Sequence, residues 1–309
     1  MIREREERRQ ISVYQKKSSA SSPLNPLMGS SKAIEQLRSD VQNFIDAGVK
    51  SILIQGETGT DKDALAKRIA YQMDPSPRFL SLDCLALVEN LMENHLFGHL
   101  KGAYTGADSD QMGVFEAASG GFVFLEEAGE MPRSQQTKFL RVLQERTITR
   151  VGTYAAKPVN FRVIFATNVD PKEAVAERKF REVLYYLISR FVIRITTLRE
   201  RREDIPMIIE SFSFKTRKGE KLEFSIEALA VLKDYRWSGN IRQLNSFTES
   251  LAVMAEQPIV RPADIYRHAP EFAPMKNVLR RVVGTVGENL IESERKKFLI
   301  VLDQSGNIF

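Results

Sequence analysis

Short apolar runs alternate with amphipathic stretches over the first two thirds of the chain. The runs are Ser51–Gln55, Phe79–Leu82, Phe122–Leu125, Phe161–Ala166 and Phe191–Ile195. Continuous apolar runs of this length predict strands buried on both faces. Between them lie helical patterns. Ile34, Leu37, Val41 and Ile45 recur every three or four positions, with Ser30 or Ser31 placed to cap the helix and Gly48 to end it. DALAKRIAYQM runs to about Met73, and LALVENLMENHLFG and SQQTKFLRVLQER follow, the last with Phe139, Leu140 and Leu143 on one face. Strands alternating with helices predict an α/β fold, a parallel sheet flanked by helices. After about Leu198 the pattern changes. Residues 203–270 carry helical periodicity only, as in Ile241, Leu244, Phe247 and Leu251, and predict a smaller all-helical domain.

The expected organisation is therefore a flexible segment over 1–27, an α/β domain over 28–200, a helical domain over 201–270, and a linker with a final amphipathic helix over 271–309. The first segment holds KKSSASSPLNP, and the final helix begins at Leu290 with Ile291, Phe298 and Leu302 on its apolar face. A hydrophobic fraction of 43% against 28% charged residues supplies enough apolar material for a sizeable core. No apolar run approaches a membrane span, and MIREREERRQ has no apolar targeting region, so no membrane partner is expected. The single cysteine, Cys84, excludes an intrachain disulfide and a thiolate zinc cluster, and a cytoplasmic location is the default expectation. A net charge of +5 permits an anionic partner without demanding one.

Candidate chemistry concentrates after the first strand, in SILIQGETGTDKD. A buried strand, a Gly-containing loop and a helix start in succession form an anion site, because backbone N–H groups and the helix dipole converge there. The spacing is that of a P-loop, with Gly56, Gly59 and Lys62 in register and Lys62 placed to reach the β- and γ-phosphates. Glu57, Thr58, Thr60, Asp61 and Asp63 complete the nucleotide-binding set. Asp61 stands where the pattern has its last glycine, and supplies less backbone freedom and a negative charge near the phosphates.

The third strand ends GGFVFLEEAGEMP, delivering Glu126 and Glu127 at its C-terminal end. Nucleotide hydrolysis with Mg²⁺ uses one such carboxylate to orient the metal, here Glu126, and another to polarise water, here Glu127. The fourth strand ends FATN, which puts Thr167 and Asn168 at the mouth of a parallel sheet, placed to hold water or sense the γ-phosphate. His95 and His99 are four apart, but Gly98 interrupts the helix between them, and Cys84 reads as a small packed residue.

ENHLFGHLKGAYTGA, GGFVFLEEAGEMP, FATN, FREVLYY, LRERREDI and YRWSGNIRQL occur in that order. Over about Met28 to Ala269 the chain resembles the central AAA+ domain of bacterial enhancer-binding proteins, the ATPases that activate sigma-54 RNA polymerase. The resemblance implies an AAA+ P-loop NTPase sheet with a helical lid, ATP and Mg²⁺ as cofactors, and a homo-oligomeric ring, usually a hexamer. It implies that Gly102, Ala103, Tyr104, Thr105, Gly106 and Ala107 contact the sigma-54 holoenzyme, with Tyr104 at the tip. It further implies that Asn168 senses the γ-phosphate, that Arg181 acts as an arginine finger in the neighbouring subunit's site, and that Arg242 is the lid arginine. Planar guanidinium groups suit phosphate oxygens. Family members usually end in a Fis-like domain with a helix-turn-helix. ESERKKFLIVLDQSGNIF resembles only its opening helix, so DNA binding by this chain is not expected.

Four departures lie in or beside the catalytic apparatus. Asp61 replaces glycine, and Glu126 replaces Asp with one more methylene. Asp83 stands where an Asn commonly pairs with the catalytic Glu, and Leu187 where a second arginine is usual, with Arg190 nearby but out of register. They bear on turnover rather than fold. Three readings follow: an ATPase that remodels sigma-54 polymerase through the GAYTGA loop, a nucleotide-binding regulatory or assembly subunit that does not hydrolyse, or a transcription regulator that does not use sigma-54, against which the intact GAYTGA argues.

Overall fold

The structure is a computed structural model that describes residues 27–85 and 89–272. The expected segment before residue 27, the helix from Leu290 and nearly all of 271–309 lie outside the described residues. The chain divides into two compact units, one comprising Met1–Ser213 and Arg236–Thr248, the other Phe214–Tyr235 and Glu249–Phe309. This differs from an expected boundary at residue 200. Residues 201–213 and 236–248 group with the α/β unit, where Ile205, Ile208, Trp237 and Leu244 are buried.

The first unit opens with α1 (Lys32–Asp46), capped by Ser31, whose Oγ accepts the Ile34 N–H. Five strands form its main sheet: β1 (Ser51–Gln55), β2 (Phe79–Asp83), β3 (Phe122–Glu126), β4 (Arg162–Thr167) and β5 (Val192–Arg194). They pair in the order β2-β3-β4-β1-β5, and every pairing is parallel. The non-sequential order means that helical crossovers lie on both faces. Side chains of a strand alternate between the faces, so each run feeds two cores. Phe122 and Phe124 of β3 pack with Ile52, Ile54, Ile164 and Ala166 on one side, joined by Ile34 and Leu37 of α1. Val123 and Leu125 pack with Leu53, Leu80, Val163 and Phe165 on the other. α2 (Lys62–Met73) buries Leu65, Ala66, Ile69 and Ala70 against the first face. α5 (Arg133–Glu145), after α3 (Glu89–Phe97) and the single-turn α4 (Val114–Ala117), supplies Phe139 and Val142 to the second.

Between α3 and α4 the chain makes a hairpin, with Gly98–His99 antiparallel to Gln111–Met112. Its neck is a backbone crossing: a Cβ on Gly98 would lie 2.4 Å from the Gln111 carbonyl oxygen, and one on Gly113 2.4 Å from that of Leu96. Both positions require glycine. α6 (Pro171–Ala176), α7 (Glu182–Ile188) and α8 (Ile205–Phe212) complete the unit with the first half of the helix Asn240–Met254.

The second unit holds α9 (Ile226–Asp234), capped by Ser225, the end of α10 (Asn240–Met254) and α11 (Pro262–His268). It is not wholly helical, because Glu223–Phe224 and Ile259–Val260 pair as two-residue parallel strands. Two residues are too few to leave a periodicity in sequence. Tyr235 stacks on Phe272 at 3.9 Å between ring centroids. Among the described residues no helix is long and apolar enough to cross a membrane.

A single carboxylate ties down the start of the first unit. Asp204 is fully buried and accepts hydrogen bonds from the Ser30 and Ser31 N–H groups at 2.8 and 2.9 Å and from the Ser31 hydroxyl at 2.6 Å. Replacing Asp204 with Ala orphans three donors and the cap of α1. The expected loss is about 3 kcal/mol, read as a lower urea midpoint with an unchanged slope. A loss below about 1 kcal/mol would show that the clamp is dispensable.

Candidate nucleotide site

The C-terminal ends of the parallel strands bring the P-loop residues, Glu126, Glu127 and Asn168 together, as expected for ligand sites in such sheets. Lys62 lies at the centre. Its Nζ donates to the Gly56 and Glu57 carbonyls at 2.9 and 3.3 Å and lies 3.8 Å from Glu127 Oε1. Burial pushes the Lys62 pKa down, against the pull of Glu127 and Glu126. The Asn168 N–H donates to Glu127 Oε2 at 3.2 Å, and its side-chain amide donates to Thr58 Oγ1 at 3.2 Å. Glu127 itself is held in left-handed backbone, with φ 47° and ψ 47°. Strain of this kind clusters at working sites.

Glu57 has a different task from the one its place in the loop implied. Its carboxylate receives a bidentate pair from Arg199 at 2.7 and 2.6 Å and a third bond from the Asn240 amide at 3.2 Å. The Arg199 hydrogen bonds hold Glu57 down at about 2. Asn240 also donates to the Thr58 carbonyl at 3.0 Å and accepts from the Leu198 N–H at 2.9 Å. Arg199 and Asn240 are the residues that sequence reasoning missed. Asn240 lies two positions from Arg242 in the same WSGNIRQL segment, and that proximity was the available signal. The Arg242 N–H donates to the Gly59 carbonyl at 3.2 Å, which sets the side chain near Lys62 and Asp61.

Asp61 adopts left-handed backbone, φ 63° and ψ 46°, which glycine takes freely and Asp at a cost of roughly 1–2 kcal/mol. The loop therefore keeps its turn. The Asp61 carboxyl is buried, and its Oδ2 has no hydrogen-bond partner. Asp83 pairs in register with Glu126, and its Oδ1 accepts the Leu85 N–H at 2.9 Å. Its charge acts on Glu126. Burial, followed by Asp63 and Asp83, pushes Glu126 up to about 7. Leu187 packs against the core. Burial also pushes the Cys84 thiol up to about 12, leaving an inert packed side chain.

Two predicted groups lie apart from this cluster. Arg181 precedes α7, and its hydrogen bonds run to Gln136 and Arg133. The 102–107 segment forms the tip of the hairpin, closed by Gly102 N–H to Ala107 O at 2.9 Å and Ala107 N–H to Tyr104 O at 3.0 Å. Tyr104 is 42% exposed there, its ring edge-on to His99 at 5.1 Å.

The residues fit a nucleotide with a divalent cation. The loop keeps its turn and Lys62 faces into it, while Asp63, Asp83 and Glu127 crowd Glu126 with negative charge that a cation relieves. Among the described residues no cluster of three or more metal-ligating side chains occurs. Mg²⁺ needs none, because it is commonly held by one or two carboxylates with phosphate oxygens and water.

Asp61 makes stability depend on pH. Burial, then Asp63, raises it from 3.8 to about 6, against Arg242 and Arg201. The folded chain holds this proton more firmly than the unfolded one. The contribution is therefore full below pH 3.8 and is lost as pH rises through about 6. Asp61→Asn is expected to stabilise the chain by roughly 1–3 kcal/mol at pH 8 and hardly at all at pH 4. Urea unfolding at both pH values checks this, and an equal gain at both would sink the assignment.

The Sigma-54 interaction domain family matches residues 27–194, and the AAA+ ATPase lid domain family matches residues 199–282. The Nif-specific regulatory protein of Herbaspirillum seropedicae is 40% identical over 262 residues, covering 82% of this chain and 47% of that protein. The anaerobic nitric oxide reductase transcription regulator NorR of Aeromonas salmonicida is 41% identical over 244 residues, covering 77% and 48%. The chain thus spans about half the length of the curated relatives it matches. The crystal structure of NtrX from Brucella abortus in complex with ADP superposes with a TM-score of 0.69 at 28% identity, covering 94% of this chain and 69% of that one. The NtrX complex with ATP gives the same score at 27% identity, covering 88% and 66%. With its parallel sheet, its loop after β1 and a family match over more than half its length, the chain belongs to the Sigma-54 interaction domain family of transcriptional regulators.

Proposed function

We propose that this chain binds ATP with Mg²⁺ at Gly56–Asp63, hydrolyses it as part of a homo-oligomeric ring, and uses the energy to remodel sigma-54 polymerase through Tyr104. The observation that carries the reading is the placement of Lys62 Nζ 3.8 Å from Glu127, with the Asn168 N–H on the other carboxylate oxygen. Lys62 and the loop N–H groups bind phosphate. Glu127 orients and deprotonates water, and Asn168 registers the γ-phosphate through the carboxylate it already touches. Arg242 sets charge beside the loop, and Arg181 reaches a neighbouring subunit's site. Mg²⁺, when bound beside Glu126, supplies neutralisation of phosphate charge. The solved complexes of NtrX with ADP and ATP support nucleotide binding by a chain of this fold.

Asp61 favours a second reading, a nucleotide-binding subunit that does not turn over, because its buried, unpartnered carboxyl oxygen adds negative charge beside the loop. Steady-state turnover at several protein concentrations separates the two. The ATPase reading expects a rate that rises cooperatively with concentration and falls at least about a hundredfold in Glu127→Ala. A rate equal to the mutant control, restored by Asp61→Gly, gives first place to the second reading. Sigma-54 capture with a transition-state nucleotide analogue is expected to be lost in Tyr104→Ala while turnover persists. Failure of the parent to bind sigma-54 once a ring has formed would end that assignment.

A further inference from the structure

Gln136 is fully buried in the first turn of α5, a position where an uncharged polar side chain gains nothing unless its bonds are met. All of them are. Its amide nitrogen donates to the Met131 carbonyl at 2.7 Å and to the Lys179 carbonyl at 2.9 Å, and its amide oxygen accepts the Arg181 N–H at 2.8 Å. Three backbone groups from two chain segments thus converge on one side chain. One segment leaves Glu127 and turns through Ala128–Glu130 into α5. The other carries Arg181, which precedes α7 in extended backbone, φ −82° and ψ 128°. Around this buried contact Arg133 bonds the Arg178 carbonyl, and Phe180 is sunk in the core. The Arg181 side chain itself is held loosely, by one contact of 3.5 Å from Nε to the Arg133 carbonyl. Its backbone is fixed and its guanidinium is left free to reach outward.

We propose that Gln136 is a positioning residue for Arg181, bracing the backbone from which that arginine reaches the neighbouring subunit's nucleotide and joining it to the segment that leaves the catalytic acid. The inference rests on the reading of Arg181 as a finger acting across subunits. Gln136 touches no nucleotide and acts only through the segment it holds. A positioned guanidinium is sensitive to such support, because a displacement of ~1 Å can cost about a hundredfold in rate.

Two readouts test this on the full chain. In Gln136→Met, which keeps side-chain length but no polar atom, hydrogen exchange at the Arg181 amide is expected to be about tenfold faster, with Ile54 in β1 unchanged. Equal exchange at Arg181 overturns the proposal whether or not the chain hydrolyses ATP. In the second readout, Gln136→Met alone is expected to lose about a hundredfold in turnover while binding ATP within about twofold of the parent. Mixing it with Glu127→Ala restores turnover, because the partner supplies a sound finger to the intact Gln136→Met site. An Arg181→Ala and Glu127→Ala mixture serves as reference. If that reference is not rescued, the cross-subunit reading fails. If it is rescued and the Gln136→Met mixture is not, the positioning role fails and Gln136 is merely structural. Should Gln136→Met not fold, Gln136→Asn carries the mixing test, since it keeps a neutral amide but ends one methylene short of all three partners.

Discussion

The phosphate loop can present its backbone to an anion only if something else fixes its course, and here that is the Glu57 carboxylate. Arg199 grips it with both nitrogens and Asn240 with its amide, so the loop is tied to the turn at Leu198–Glu200 and to the start of α10. A fork of this geometry resists sliding in a way that one hydrogen bond does not. Asn240 adds the Thr58 carbonyl, and Arg242 the Gly59 carbonyl. Three successive loop residues are therefore anchored before any ligand arrives, and the affinity of Lys62 for negative charge can be spent on phosphate. The acids around it set the polarity of the site. Asp63, Asp83 and Glu127 raise the proton affinity of Glu126, while Lys62 lies 3.8 Å from Glu127 and Lys67 3.9 Å from Asp63, so the negative charge is offset only in part.

Much of this was legible in sequence, and the reason is the length of the apolar runs. SILIQ and FVFL are buried on both faces of a parallel sheet, so they carry no polar interruption and stand out from their surroundings. β1 keeps its expected bounds, and the other four strands depart from theirs by a residue. β3 continues through Glu126 and β4 through Thr167, because a ladder does not stop where apolarity does. The site was legible where it depends on residue types at the strand ends, as with Glu127 and Asn168. It was not legible where it depends on backbone. Nothing in a sequence says that Asp61 will accept left-handed geometry, or that the Glu57 carboxylate will tie the loop to Arg199. Gln136 escaped notice for a similar reason. Its neighbours along the helix are polar and exposed as often as not, and its partners are carbonyl and N–H groups that every residue shares.

The glycine neck of the 98–112 hairpin has a consequence for how such proteins diversify. At its base two backbones touch where a side chain would stand, so neither Gly98 nor Gly113 has a tolerable replacement, and the crossing cannot be re-registered by small steps. At its tip a Cβ on Gly102 or Gly106 would meet no atom within 4 Å, but φ values of 80° and 96° strain any other residue at these two positions. The stalk is thus fixed by packing and the tip by the conformation of its two glycines, so change is left to the side chains between them, on a fixed handle. A lineage could change the face that the tip presents while inheriting the stalk and the sheet below it unchanged.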